Sequence, residues 1–70
     1  MVLLDFQQIV VDEKVELDEK VKKLGVFLNS ETFDKLAKRD QFLLVEQRAS
    51  MKSYSRILGD RIVLFNPVEG

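Results

Sequence analysis

The stretch Val10-Val11-Asp12-Glu13-Lys14-Val15-Glu16-Leu17-Asp18-Glu19-Lys20-Val21-Lys22-Lys23-Leu24 decides the fold. Val10, Leu17 and Leu24 recur every seven residues, and Leu3 lies one heptad earlier. Phe6, Val21, Phe27 and Leu28 fill adjoining positions of the same face. Such spacing draws one apolar stripe along an α-helix, whereas a strand would need strict alternation. The positions between are dense in Glu and Lys, and Glu16–Lys20 and Glu19–Lys23 are spaced for i,i+4 pairing worth about 0.2–0.5 kcal/mol each. A first long helix over residues 5–28 follows. Val11 and Val15 stand off the stripe and form a second apolar edge that a lone hairpin cannot cover.

Towards the C-terminus the same signature returns. Leu44, Met51, Leu58 and Phe65 repeat every seven residues, with Tyr54 and Ile62 beside them. This predicts a second long helix over residues 41–65, ended by Asn66-Pro67, because proline cannot continue the hydrogen-bond ladder and disfavours helix at the residue before it. Between the two, Asn29-Ser30 offers an N-cap for a short helix over residues 30–37, with Phe33 and Leu36 facing inward. Lys38-Arg39-Asp40 then turns the chain, and Asp40 caps the next helix. Two rods of roughly 36 Å each, joined by a short bent connector, fold antiparallel. The expected fold is all-α, an antiparallel helical hairpin forming a single domain over residues 1–70. Gly25 is read as the loosening end of the first helix. Gly59 costs up to about 1 kcal/mol inside a helix, so it marks either a close approach by another backbone or a ligand, or a tolerated glycine.

A chain of 70 residues builds only a marginal core. Small chains compensate with disulfides, metals or association. With no Cys and no His, disulfides, thiolate sites, thiol nucleophiles, the commonest zinc ligand and the commonest general base all drop out. A carboxylate-only site for a hard cation is what remains of metal chemistry. Association is the expected compensation, in a homo-oligomeric helical bundle with Val10, Leu17, Leu24, Leu44, Met51 and Leu58 at the oligomer interface. No glycine-rich phosphate loop, nucleophile elbow or metal-binding His pair occurs, so neither catalysis nor a cofactor is expected. No apolar run approaches a membrane span of about 18 residues, and the N-terminus lacks the basic start and long apolar stretch of a signal peptide. No membrane partner and a cytoplasmic location follow as expectations.

The net charge of −1 gives no whole-molecule attraction to nucleic acid. Charge is nevertheless unevenly placed: residues 1–34 hold eight acidic against four basic side chains, residues 35–70 four against seven. Arg48, Lys52 and Arg56 form one column at i, i+4 and i+8, where like charges repel unless something negative meets them. One candidate is the acidic column Asp12, Glu16 and Glu19, from the same or another subunit. The other is a phosphate-bearing ligand, with arginine forking onto phosphate oxygens and Tyr54 stacking on a base. Glu13, Lys20, Gln47 and Arg61 lean towards the apolar stripes. Antiparallel alignment pairs residues whose numbers sum to roughly 69, which brings Glu13 near Arg56 and Lys20 near Gln47. These groups either set the register of the seam or line a ligand site between helices. Extended DNA or RNA is not an expected partner, since the first helix is acidic and the aromatics belong mainly to the stripes.

Three segments carry a resemblance. They are Val10-Val11-Asp12-Glu13-Lys14-Val15-Glu16-Leu17-Asp18-Glu19-Lys20, then Phe27-Leu28-Asn29-Ser30-Glu31-Thr32-Phe33, then Met51-Lys52-Ser53-Tyr54-Ser55-Arg56-Ile57-Leu58-Gly59-Asp60-Arg61-Ile62. In order and spacing they resemble a group of short phage and prophage proteins named after a crAss-like phage member, over nearly the whole chain. The resemblance implies an accessory protein made in the cytoplasm of the infected bacterial host, and it carries over no catalytic residue. In build the chain is also similar to hairpin-shaped phage sponges that sequester cyclic nucleotide signals of bacterial immunity, such as CBASS signals. That likeness, one of build and phage context and not of binding residues, implies a non-enzymatic counter-defence protein holding a cyclic nucleotide at an inter-subunit site; Arg48, Lys52, Tyr54, Arg56 and Arg61 are the side chains this sequence itself offers to phosphate and base. The alternative is a module that inhibits a host protein through an exposed apolar helix face.

Overall fold

The structure is a computed structural model, and it describes residues 3–65. Helix α1 spans Asp5–Leu28, a single turn α2 spans Glu31–Asp34, and α3 spans Lys38–Val63. Helices α1 and α3 pack against each other in a rod of 55 × 16 × 14 Å. The fold is all-α, with two long helices side by side.

Local chemistry explains the ends. Leu4 is extended, and its N–H donates to Gln7 Oε1 at 2.9 Å, while Asp5 supplies negative charge to the positive end of the α1 dipole. At the far end Asn29 Nδ2 donates to Gly25 O at 3.1 Å. The Ser30 hydroxyl donates to Phe27 O at 2.6 Å and accepts from Phe33 N at 3.1 Å, so one side chain closes α1 and caps α2. Phe27 and Phe33 meet edge to face at 6.1 Å across this bend. Gln41 Nε2 reaches back to Phe33 O at 3.0 Å and Leu36 O at 3.1 Å, tying the connector to α3.

The connector is tighter than its sequence suggests. The short helix occupies Glu31–Asp34 instead of residues 30–37, because Lys35 N and Leu36 N bond back to Thr32 O and Phe33 O and complete the turn there. Ala37 is then extended and begins α3. Lys38-Arg39-Asp40 is therefore the first turn of α3 and not the chain reversal, and Asp40 complements the dipole from within that turn instead of capping it. At the other end α3 stops at Val63, and Leu64 and Phe65 continue as a turn bonded to Arg61 O and Ile62 O. Asn66-Pro67, the expected terminator, lies outside the described residues.

Covered residues on α1 advance in alternating steps of three and four, from Gln7 through Val10, Lys14, Leu17, Val21 and Leu24 to Leu28. On α3 they run from Gln41 through Leu44, Arg48, Met51, Ser55 and Leu58 to Ile62. This is the knobs-into-holes rhythm of a two-stranded seam. The core is thin. Among the described residues Val10, at 6% exposure, and Leu58, at 0%, are the buried apolar side chains. The six residues expected at an oligomer interface all lie on this seam. Val10 and Leu58 are buried within the single chain, and Leu17, Leu24, Leu44 and Met51 are half-covered. The large apolar groups left open are others. Phe6, Ile9, Leu43 and Ile57 are exposed, and so are Val15, Val26, Val45 and Val63.

Candidate functional site

The seam carries five polar or charged interruptions, Gln7, Lys14, Gln41, Arg48 and Ser55, and none of them is Glu13, Lys20, Gln47 or Arg61, which the sequence reading places there. Lys14 lies in it: its Nζ donates at 2.9 Å both to Asp18 Oδ2 and to Ser55 Oγ. The buried Ser55 hydroxyl donates in turn to the other oxygen of Asp18. That hydrogen bond, then the one from Lys14, holds the Asp18 carboxyl below its ordinary value. Gly59 accommodates the arrangement, since a Cβ there would stand 3.3 Å from Lys14 Cε. Of the alternatives at Gly59, neither another backbone nor a ligand is what approaches it here: the neighbour is a lysine side chain of the same chain.

Arg48 is another of these interruptions. Its Nε donates to Val21 O across the seam at 3.2 Å, and its guanidinium lies over the α1 backbone at Gly25. A Cβ on Gly25 would come within 2.9 Å of one terminal nitrogen and 3.0 Å of Nε. Gly25 is thus the notch that admits Arg48. It lies within the regular span of α1 and does not mark a loosening end.

The expected partners of the other polar residues do not meet. Glu13 accepts from the Tyr54 hydroxyl, not from Arg56. That bond raises the Tyr54 pKa, while the nearby charge of Arg61 acts in the opposite sense. Arg56 pairs along its own helix with Asp60 at 3.2 Å. Lys20 is exposed, and Gln47 points its amide at Met51 Sδ. The acidic column Asp12, Glu16 and Glu19 makes no ion pair with Arg48, Lys52 or Arg56 among the described residues; the ion pairs there are all i,i+4 within one helix. Arg48 and Lys52 are thus left without an ion pair among the described residues, while Arg56 takes Asp60 and Asp18 of α1 lies in the groove beside Lys52 and Arg56.

The five residues proposed for phosphate and base divide between two flanks. Arg48, Lys52 and Arg56 border shallow open grooves on one side of the seam. One groove, of about 380 Å³, is lined by Leu28, Val45, Arg48, Ala49, Lys52 and Ser53. Another, of about 300 Å³, has Asp18, Val21, Lys52, Ser55 and Arg56 around it. Tyr54 is two residues from both Lys52 and Arg56, hence roughly 160° round the helix from each. With Arg61, seven residues on, it occupies the opposite flank beside Glu13. In one chain the tyrosine ring does not stack over the arginines. Sequence reasoning missed Lys22 and Asn29, which join Arg48 around a third depression of about 430 Å³ with Gly25, Val26 and Leu28. Nothing in the heptad pattern announces them, because they come from the end of α1 while the cationic column was read on the other helix. No three acidic side chains gather as metal ligands among the described residues, and no described helix is long and apolar enough to cross a membrane.

Comparison with known proteins adds one finding. The family model described as Sequestin matches residues 4–64, nearly all of the chain. No curated protein and no solved structure matches it.

Proposed function

The chain belongs to the Sequestin family, and from that premise we propose that it works by holding a ligand, not by transforming one. In this reading it is a non-enzymatic phage accessory protein of the infected cell's cytoplasm, which counters host defence by sequestering a nucleotide-type immune signal between copies of itself. The family description supports sequestration as the mode of action. The observation that carries the nucleotide is the cationic flank: Arg48, Lys52 and Arg56 stand in register above open grooves, and no acidic residue of α1 pairs with them. An arginine fork and neighbouring ammonium groups are matched to phosphate oxygens. The apolar surface of Leu28, Val45 and Ala49 beside them suits a base or ribose face.

The grooves are open in the single chain, which is the reason to place the ligand between subunits. A second copy covering this flank would exclude water and strengthen every charge-assisted bond. Tyr54 and Arg61 would reach the ligand only from a neighbouring copy. The test is a thermal melt against a panel of cyclic mono- and dinucleotides, with native mass spectrometry of protein purified from bacteria. A ligand at about one hundred times its Kd adds about 2.7 kcal/mol to the stability of the folded state, a plain rise in Tm. An unchanged Tm across the panel, with no retained small molecule, would refute the nucleotide.

The competing reading is a module that inhibits a host protein through an apolar helix face. Val10 and Leu58 are consumed inside the hairpin, so its anchors would be the exposed Phe6, Ile9, Leu43 and Ile57. A stoichiometric host protein in a lysate pull-down, removed by Ile9→Asp, favours it over the sponge.

A further inference from the structure

We infer that Lys22, Arg48 and Lys52, with the notch at Gly25, form a preorganised receptor for a dianionic or polyanionic phosphate group, pyrophosphate-like in its chemistry. This rests on the reading of the cationic flank as a ligand site and names what it recognises, adding two elements of α1 to residues taken only from α3.

Arg48 is the charged side chain of the α3 seam row, and two contacts define its placement. Its Nε is committed to Val21 O at 3.2 Å. The guanidinium occupies the space left open at Gly25, where a Cβ would stand 2.9–3.2 Å from its Nη2, Nε and Cζ atoms. The two terminal nitrogens have no hydrogen-bond or ion-pair partner among the described residues. A half-buried guanidinium fixed through Nε, with its fork unclaimed, is poised for two parallel bonds to an oxyanion.

The surroundings select for anions. The two grooves that share Arg48 and Leu28 add Lys22 on the α1 side and Lys52 on the α3 side, and no carboxylate lines either one. Neither lysine takes part in an ion pair among the described residues. Three cations thus flank one ridge, a like-charge arrangement that an anion relieves. Two lysines on opposite sides of a central fork fit two linked phosphates better than one. Asn29 and Ser53 line the same grooves and offer neutral polar groups.

The test is calorimetric titration with inorganic pyrophosphate, with orthophosphate and sulfate as smaller anions, on the full chain. Pyrophosphate should bind more tightly than either smaller anion. Arg48→Lys and Gly25→Ala should each weaken it at least about tenfold, the loss expected from one charge-assisted bond. Lys keeps the charge but loses the fork, and Ala leaves all charges in place but displaces the guanidinium. Lys22→Gln and Lys52→Gln, both at exposed positions, should each weaken binding several-fold with unchanged helix content, so the idea is testable even if Gly25→Ala fails to fold. Lys20→Gln, a cation outside the grooves, should have no effect. Equal affinity for all three anions, or equal losses from Lys20→Gln and Lys22→Gln, would overturn the receptor. If pyrophosphate binds as stated while no nucleotide does, the receptor stands and the nucleotide reading falls. If a nucleotide binds but ignores Gly25, Arg48 and Lys22, the receptor is overturned while sequestration survives.

Discussion

Replacing Leu58 with Ala tests where the cohesion of this protein lies. Leu58 is at 0% exposure, alone among the described large side chains in being fully enclosed, and Val10 is the other buried apolar group. Truncating a buried leucine costs about 2–5 kcal/mol, depending on how well the site collapses. In a rod two helices thick, neighbouring side chains can sink from the open sides into the gap, so the loss should fall near about 2–3 kcal/mol. For a domain of this size, total stability is about 0.05–0.15 kcal/mol per residue, or roughly 3.5–10 kcal/mol over the chain. The substitution therefore removes a large share. At about 4–8 °C per kcal/mol for small domains, Tm should drop by roughly 10–20 °C. Far-ultraviolet circular dichroism melts at two concentrations about tenfold apart would measure it, with Leu64→Ala as the control. Leu64 is 80% exposed, and its truncation in a monomer should change stability by less than about 0.5 kcal/mol. A concentration-dependent Tm reports association. If Leu58→Ala costs under about 1 kcal/mol while Leu64→Ala costs more, cohesion comes from an outer contact and the seam is not the core.

Three further outcomes are expected. The Asp18 carboxyl is held below its ordinary 3.8 by Ser55 and then Lys14, so its stabilising contribution is present above that value and is lost as pH falls through the lower folded-state value. Urea unfolding of wild type and Asp18→Asn should therefore converge in strong acid and separate, with wild type the more stable, above about pH 4; parallel curves at every pH would contradict the Lys14–Asp18–Ser55 network. The Tyr54 hydroxyl, bonded to Glu13, has a raised pKa, so its stabilising effect persists below the unfolded value and fades as pH rises through the folded one. Ultraviolet titration should show this single tyrosine ionising later than a free phenol, and Glu13→Gln should bring it back, whereas an identical titration in the variant would remove the contact. Gly59→Ala gains up to about 1 kcal/mol of helix propensity against a 3.3 Å approach to a flexible lysine methylene, so Tm should hold or rise; a loss above about 1 kcal/mol would mean Lys14 is rigidly held.

The two long helices were legible because heptad leucines leave little freedom, and the first was placed over the residues it occupies. The polar seam residues were misplaced by a single step. Between Val10 and Leu17 the row passes through either 13 or 14; residue type alone points to Glu13, whereas Lys14 is the covered one. Val21, four beyond Leu17, and Leu28, four beyond Leu24, carry the four-then-three rhythm that selects Lys14. On α3, Ile62 after Leu58 selects Ser55 and Arg48 in the same way. The start of α3 was missed for a different reason. Asp40 is a good cap by residue type, but the connector closes earlier through backbone bonds at Lys35 and Leu36 that side chains do not advertise. The part played by α1 in the cationic site was illegible, because it depends on a guanidinium of one helix resting on a glycine of the other.

That contact also argues against the site being incidental. A guanidinium in the seam packs less well than the leucine that the heptad would otherwise place there, and a glycine inside a helix forfeits up to about 1 kcal/mol of propensity. Here the two concessions fall together, since Arg48 reaches Val21 O over the space that Gly25 leaves. Register does not require them: Lys14, Asp18 and Ser55 already lock the helices about two turns further along α3. In a fold whose buried apolar core is Val10 and Leu58 among the described residues, a doubled local loss of cohesion has no structural return. Local departures from good packing of this kind concentrate where a protein meets something else. What the arrangement does provide is a fork of unclaimed N–H groups at a defined position between two lysines. On that reasoning Arg48→Leu with Gly25→Ala should yield a more stable hairpin that no longer binds pyrophosphate, and a double variant that gains stability yet still binds would show that the anion is held elsewhere.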